Sequence, residues 1–288
     1  MSYRGRFAPS PTGLLHAGSL VAAVGSWLCA RHADGQWLVR IEDIDPPREV
    51  AGSTQAILAA LPRFGLIADG SVIYQSSRIT AYEAAFEQLR RADLVFPCWC
   101  SRSELASVSG IHQDGRCIAS ADPSRPPAWR IRVLDEKIAF VDGSQGKQQQ
   151  SLREEVGDFV IRRVEGFYSY QLACVVDDAW QGMTEVVRGS DLLDSTPRQI
   201  WLQRCLNLPT PRYLHLPLVL DGQGRKLSKS EDALEVDPVE PLPSLRRALS
   251  FLGLRPDENA QSPSALLDAA LAQFDPRHLT QCSDHRAA

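Results

Sequence analysis

Two short segments of this sequence carry the residue types and order that polyphosphate chemistry needs. The first is Phe7-Ala8-Pro9-Ser10-Pro11-Thr12-Gly13-Leu14-Leu15-His16-Ala17-Gly18-Ser19. An apolar strand ends, Pro9, Pro11 and Gly13 force a turn, and a helix begins. A helix N-terminus presents N–H groups without intrahelical partners and the positive end of the dipole, so it favours an anion. His16 adds a ring N–H donor there, and Gly18 leaves room for a flat base or ribose against the backbone. The second segment is Gly224-Arg225-Lys226-Leu227-Ser228-Lys229-Ser230, where two lysines flank Ser228 in a polar loop after a strand. Such a loop brings positive charge to a polyphosphate while charge builds on the leaving pyrophosphate. A lone His-x-Gly is an ordinary helix start, and a lone lysine pair is ordinarily a solvated loop. Both together, in this order, point to ATP.

His16-Ala17-Gly18-Ser19 resembles the His-Ile-Gly-His signature of class I aminoacyl-tRNA synthetases. The lead-in from Arg6 to Gly13 is similar to the glutamyl/glutaminyl branch. The lysine loop resembles the second class I signature, Lys-Met-Ser-Lys-Ser. It follows Leu214-His215-Leu216-Pro217-Leu218, which also looks like the glutamyl branch. The resemblance implies that ATP is bound by His16, Gly18, Lys226, Ser228 and Lys229. His16, Lys226 and Lys229 then act on the phosphates, and Mg²⁺ accompanies the nucleotide. The amino acid's own carboxylate is the nucleophile, so catalysis is mostly positioning and charge stabilisation, and no catalytic Ser or Cys is required.

An amino-acid pocket beside that ATP must aim a carboxylate at the α-phosphate. L-glutamate brings a second carboxylate, and Arg reads carboxylates well because its fork meets both oxygens. Arg6 sits beside the phosphate turn, and Arg188 ends an apolar strand in Val187-Arg188-Gly189. Glu42 ends another strand, where it could pair with an α-ammonium, and Tyr170 could donate its hydroxyl. Each alone would be read as a surface ion pair; their places at strand ends near the two motifs favour a site. The resemblance implies a glutamate pocket of Arg6, Ala8, Ser10, Glu42, Tyr170 and Arg188. Which arginine reads the side chain stays open.

A third constellation is Cys98-Trp99-Cys100, followed by His112 and Cys117. Three thiols and an imidazole suit tetrahedral Zn²⁺, although the spacing is not Cys-x-x-Cys. A small insertion with little core also gains stability from a metal. The segment resembles the zinc-bearing acceptor-stem region of short glutamyl synthetase relatives, in which a Tyr four residues before the last Cys is a ligand. Here that position is Gln113, so the fourth ligand is open and His112 is the substitute. Cys29, Cys174 and Cys205 lie in apolar stretches and read as small core residues.

The elements that must hold these residues alternate between strand and helix. Arg4 to Ala8 reads as a strand, Ala17 to Arg31 as a helix and Trp37 to Ile41 as a strand. Ser53 to Phe64 and Tyr82 to Leu94 read as helices, with a strand at Val72 to Tyr74 between them. That order predicts an α/β fold with a doubly wound, parallel, Rossmann-type sheet. After Leu94 the pattern changes to Cys-, Gly-, Pro- and Gln-rich pieces with short strands such as Trp129 to Val133. This reads as an insertion rather than a continuation of the sheet. Alternation resumes at Tyr168 to Val187 and Leu192 to Leu206, and Tyr213 to Leu220 reads as a strand. The expected organisation is a catalytic domain from 1–94 and 166–235, an insertion at 95–165 and a short helical segment at 236–288. The last part holds helices at Leu242 to Leu252 and Ser264 to Phe274.

The bulk numbers narrow the partners. The chain has 288 residues, 44% of them hydrophobic and 23% charged, with a net charge of -4. That charge argues against a nucleic-acid coat but not against an enzyme that docks one RNA. No apolar run is long enough to span a bilayer and no secretory h-region is seen, so a cytoplasmic, reducing location without a membrane is expected. Only 58 residues follow Ser230 (288 minus 230). The architecture therefore looks like the truncated glutamyl-queuosine tRNA(Asp) synthetases, which lack the anticodon-binding region of full glutamyl-tRNA synthetases. The resemblance implies transfer of glutamate to the queuosine base in the anticodon of tRNA(Asp), by a monomer. A tRNA 3′ end, a non-RNA acceptor or a non-catalytic regulatory role are the alternatives.

Overall fold

A computed structural model describes residues 2–107, 110–218 and 236–281. The chain begins with β1 (Arg4–Phe7), α1 (Ala17–His32), β2 (Gln36–Ile41), α2 (Ser53–Arg63), β3 (Ile73–Tyr74) and α3 (Ile79–Arg91). The middle holds β4 (Val95–Cys98), α4 (Arg102–Ala106), β5 (Ala128–Ile131), β6 (Lys137–Asp142), β7 (Gly146–Ser151), α5 (Leu152–Glu155) and β8 (Phe159–Arg162). Then come α6 (Tyr170–Trp180), β9 (Glu185–Gly189), α7 (Ser195–Leu206) and β10 (Arg212–Leu216), followed by α8 (Pro241–Phe251) and α9 (Pro263–Gln273). The helix expected at Tyr82 to Leu94 starts one turn earlier and stops at Arg91, because Asp93 takes a positive φ of 54° and ends the run.

The parallel sheet is present in two halves. β1, β2 and β3 run parallel, with Arg4 opposite Gln36 and Arg40 opposite Ile73. β9 and β10 run parallel, with Val187 opposite Leu214. The halves meet at β1. The Arg4 N–H donates to Thr184 Oγ1 at 2.9 Å, and the Thr184 N–H returns a bond to the Arg4 carbonyl at 3.0 Å. Chain order therefore switches between β1 and β9, and ligands bind at such a switch, outside the carboxyl ends of the strands.

Side-chain alternation explains why both faces are covered. In β9, Val186 joins one apolar cluster with Tyr82, Phe86, Leu172 and Leu202. Its neighbour Val187 joins the other, with Leu20, Val24, Leu28, Leu245 and Leu249. Helix α1 is buried nearly all round from Leu20 to Ala30, since α8 and α9 cover the side that the sheet does not. Gly25 permits this crossing, because a Cβ there would stand 2.7 Å from Leu216 Cδ1.

The middle segment divides in two. β4, β5 and β8 form a separate antiparallel sheet. The β6–β7 hairpin instead extends the main sheet, for β6 lies parallel to β10 with Asp142 opposite Tyr213. The insertion expected at 95–165 is thus partly a continuation of the sheet. The Gln-rich run from Gln148 to Gln150 is the outer strand of that hairpin.

Beneath the switch point lies a buried ionic layer. Arg6 of β1 grips Asp178 of α6 with both prongs, at 3.1 and 3.4 Å. Arg40 of β2, with no exposed surface, donates to the same carboxylate at 2.7 Å and to Glu42 at 3.2 Å. Burial opposes ionisation of Asp178, yet the charges of Arg6 and Arg40 hold its pKa down to about 2. The sign follows from linkage. The folded value lies below the ordinary 3.8, so this contribution is complete above about pH 4 and vanishes as pH falls through about 2. Asp178→Asn leaves buried Arg6 without its counter-ion and takes the shortest ion pair from Arg40, and urea unfolding at pH 7 is expected to show a loss of about 3–5 kcal/mol. A loss below about 1 kcal/mol, the size of an exposed pair, would contradict the reading.

Candidate active site

The turn between β1 and α1 is tied to the start of α2. The Gly13 N–H donates to Ser53 Oγ at 3.1 Å, and that hydroxyl donates to the Gly13 carbonyl. His16 caps α1: its Nδ1 accepts the Ser19 N–H at 3.3 Å and its Nε2 meets Ser19 Oγ at 2.9 Å. The helix therefore opens onto the pocket with an exposed imidazole at its positive end. At Gly18 a Cβ would approach the His16 ring to 3.4 Å.

A cavity of about 430 Å³ lies over this turn. Seven of the residues singled out from sequence line it: Arg6, Ala8, Ser10, His16, Gly18, Tyr170 and Arg188. Strands β1 and β9 supply the arginines at their carboxyl ends, α6 supplies Tyr170, α1 supplies Gly18 and the turn supplies the rest. Glu42 does not line the cavity. It sits behind, accepting from Arg40 and from the Cys174 thiol at 3.1 Å, and burial pushes its carboxyl above the usual range. Lys226, Ser228 and Lys229 lie outside the described residues.

The two arginines differ in what already holds them. Arg6 is neutralised by Asp178. Arg188 is 5% exposed and spends its N–H groups on neutral acceptors. Nε–H donates to His215 Nε2 at 3.0 Å. One terminal nitrogen reaches Tyr170 Oη at 3.1 Å and Gln199 Oε1 at 2.9 Å. The other reaches Thr196 Oγ1 at 2.8 Å and the Leu192 carbonyl at 3.3 Å. Among the described residues no carboxylate pairs with it. A buried positive charge so arranged attracts an anionic ligand, which would meet it by displacing one of these neutral acceptors.

Sequence reading missed most of this supporting shell. Asp178 carried a signal, because Asp177-Asp178 interrupts the apolar run of α6. Two adjacent acids there are tolerable only when paired with buried cations. Cys174 looked like a core residue, and it is buried, but its thiol also donates to Glu42. Gln199, Thr196, His215 and Asp142 had no spacing that linked them to Arg188.

The thiol cluster assembles at the end of β4. Ligand atoms of Cys98, Cys100, His112 and Cys117 all lie within 4.8 Å of one another. His112 is buried, and its Nδ1–H points at Asp158 Oδ2, 3.1 Å away, while its Nε2 has no hydrogen-bond partner among the described residues. Asp158 is pinned in turn by the N–H groups of Gly115 and Val133. Burial keeps the imidazole pKa low, so its free lone pair is available. A carboxylate-bound histidine with an orphan nitrogen aimed at thiols fits Zn²⁺.

The whole arrangement has counterparts. The description "tRNA synthetases class I (E and Q), catalytic domain" matches residues 2–255. A protein of Xanthomonas campestris pv. campestris named Glutamyl-Q tRNA(Asp) synthetase is 52% identical over 100% of this chain and 97% of its own length. Proteins of the same name from Burkholderia mallei and Pseudomonas aeruginosa are 53% and 51% identical, over 96% and 98% of this chain and 97% of their own. The solved glutamate-tRNA synthetase of Elizabethkingia anophelis superposes with a TM-score of 0.82 at 24% identity, covering 100% of this chain and 68% of that one. That likeness is one of fold. No helix among the described residues is long and apolar enough to cross a membrane. The chain belongs to the class I tRNA synthetases (E and Q), as an ATP-dependent ligase of the aminoacyl-tRNA synthetase type, in the branch whose members are named Glutamyl-Q tRNA(Asp) synthetase.

Proposed function

We propose that this enzyme activates L-glutamate as its adenylate and transfers the glutamyl group to the queuosine base of tRNA(Asp), in the cytoplasm and as a monomer. The observation that carries the glutamate half is Arg188, a buried guanidinium in the switch-point cavity that no carboxylate neutralises among the described residues. Glutamate's carboxylate supplies the missing charge. Arg6, Ala8, Ser10, Glu42 and Tyr170 are the remaining glutamate residues in this reading, with Glu42 acting from behind through Arg40 and Asp178. The α-carboxylate attacks the α-phosphate of ATP in line, a new O–P bond forms and pyrophosphate leaves. His16 at the α1 N-terminus holds phosphate oxygens, assisted by Gly18, Ser228, Lys226 and Lys229, and Mg²⁺ travels with the nucleotide. A hydroxyl of the acceptor then attacks the adenylate carbonyl and AMP departs.

The queuosine half rests on the relatives' name and on their length, which this chain matches almost end to end. Labelled glutamate offered with ATP to tRNA from cells that make queuosine is expected to become attached, even after the terminal adenosine that carries the 3′ acceptor diol has been removed enzymatically, a step that leaves queuosine intact. tRNA from cells unable to make queuosine should take none. Attachment that is independent of queuosine and lost with the 3′ diol would replace this acceptor by the tRNA end.

Cys98, Cys100, Cys117 and His112 hold one Zn²⁺ in this reading, and the ion ties the small antiparallel sheet together. Gly157 offers a test that spares every ligand. Its φ is +70°, and a Cβ there would collide with the His112 carbonyl oxygen. Elemental analysis should find one zinc per wild-type chain and markedly less in Gly157→Ala. Metal-free wild-type protein with three freely titrating thiols would refute the site.

A further inference from the structure

We propose that Asp142 and His215 are positioning residues for Arg188: the carboxylate fixes the imidazole as its Nδ1–H tautomer, and the imidazole's Nε2 lone pair aims the guanidinium into the amino-acid pocket. The inference rests on the reading of that pocket as a glutamate site.

The geometry is a buried chain of three groups. Asp142 Oδ2 lies 2.6 Å from His215 Nδ1, and His215 Nε2 lies 3.0 Å from Arg188 Nε. Asp142 and His215 have no exposed side-chain surface. An ionised carboxylate can only accept, and a guanidinium can only donate. The ring between them must therefore donate from Nδ1 and accept at Nε2, which is one neutral tautomer. An imidazolium would set an N–H against the Arg188 N–H. Burial keeps the His215 pKa below the ordinary histidine range, in agreement.

Asp142 is itself held without freedom. Its Oδ1 accepts the N–H groups of Ser144, Gln145 and His215 at 3.0, 2.9 and 3.1 Å. Burial works against its charge, but the hydrogen bonds from His215 and from these backbone groups keep its pKa low. Thr196 Oγ1 closes the other side, 3.2 Å from His215 Nε2 and 2.8 Å from Arg188.

A negative charge one imidazole away orients Arg188 without neutralising it. Asp178 touches Arg6 directly and consumes its charge. An acid in direct contact with Arg188 would compete with the substrate carboxylate; an acid behind a neutral ring does not. The arrangement also gives the β6–β7 hairpin a task, since Asp142 ends β6 and the pairing of β6 with β10 places it behind His215.

Calorimetric titration of the full chain with glutamate, and separately with ATP, tests this in wild type and three variants. Asp142→Asn keeps the shape and removes the charge. His215→Gln keeps an amide oxygen able to accept from Arg188, and His215→Leu does not. Glutamate affinity is expected to fall about ten-fold in Asp142→Asn and His215→Leu, the effect of losing one hydrogen bond to a charged group, and less in His215→Gln. ATP affinity is expected to stay at the wild-type level in all three. Parallel loss of both ligands, equal damage from Gln and Leu at 215, or no loss at all would overturn the proposal. A wild-type protein that binds no glutamate would refute the functional reading instead. The positioning chain would then stand or fall on the ¹⁵N resonances of His215 at pH 7. A neutral Nδ1–H ring supports it, and an Nε2–H ring or an imidazolium overturns it.

Discussion

Burying a guanidinium is costly unless its donors are met, and the carboxyl edge of this sheet buries three, Arg6, Arg40 and Arg188. Apart from Arg40 Nε, which has no hydrogen-bond partner among the described residues, the fold meets these donors in two ways. Arg6 and Arg40 share Asp178, with Glu42 as a second carboxylate on Arg40, an ionic solution that locks β1, β2 and α6 together at the level of the switch point. Arg188 receives neutral acceptors from α6, α7 and β10 and keeps its charge. The first solution supplies rigidity beneath the pocket, and the second leaves an unspent positive charge in its wall. Reversing the two would give a stable protein with no use for a carboxylate.

Packing serves the same division. Helix α1 carries the N-terminus that opens onto the cavity, so its angle to the sheet matters. Apolar residues surround it nearly completely, with Leu245 and Leu249 of α8 on the side away from the strands. The short helices after residue 236 are thus part of the catalytic body's core rather than an appendage. The antiparallel β4–β5–β8 sheet is small, so a metal held by the thiol cluster at the end of β4 would have structural value there.

Much of this was legible in the sequence. Alternating strand and helix patterns gave the parallel sheet, and the turn from Phe7 to Ser19 marked the cavity that the structure forms over it. Arg188 was singled out at the end of an apolar strand and Tyr170 through the resemblance to the glutamyl branch, and both line the cavity. The residues that hold Arg188 were not found, because Asp142, Thr196, Gln199 and His215 are brought together by register and helix packing rather than by spacing. The β6–β7 hairpin was read as outside the sheet for the same reason. Its pairing with β10 joins residues about seventy positions apart, and single-sequence patterns carry no such long-range information. Glu42 was placed at a strand end, where it is, but nothing local announced that Arg40 and Cys174 would draw it behind the cavity wall.

ATP–pyrophosphate exchange with glutamate and with glutamine as alternative substrates tests the central claim most directly. A pocket whose wall holds an uncompensated guanidinium is satisfied by a carboxylate, whereas an amide presents its NH₂ donor to donor. The account predicts exchange with glutamate, in the absence of tRNA, at a kcat/KM of order 10⁴ above that for glutamine. Comparable exchange with the two amino acids would contradict it.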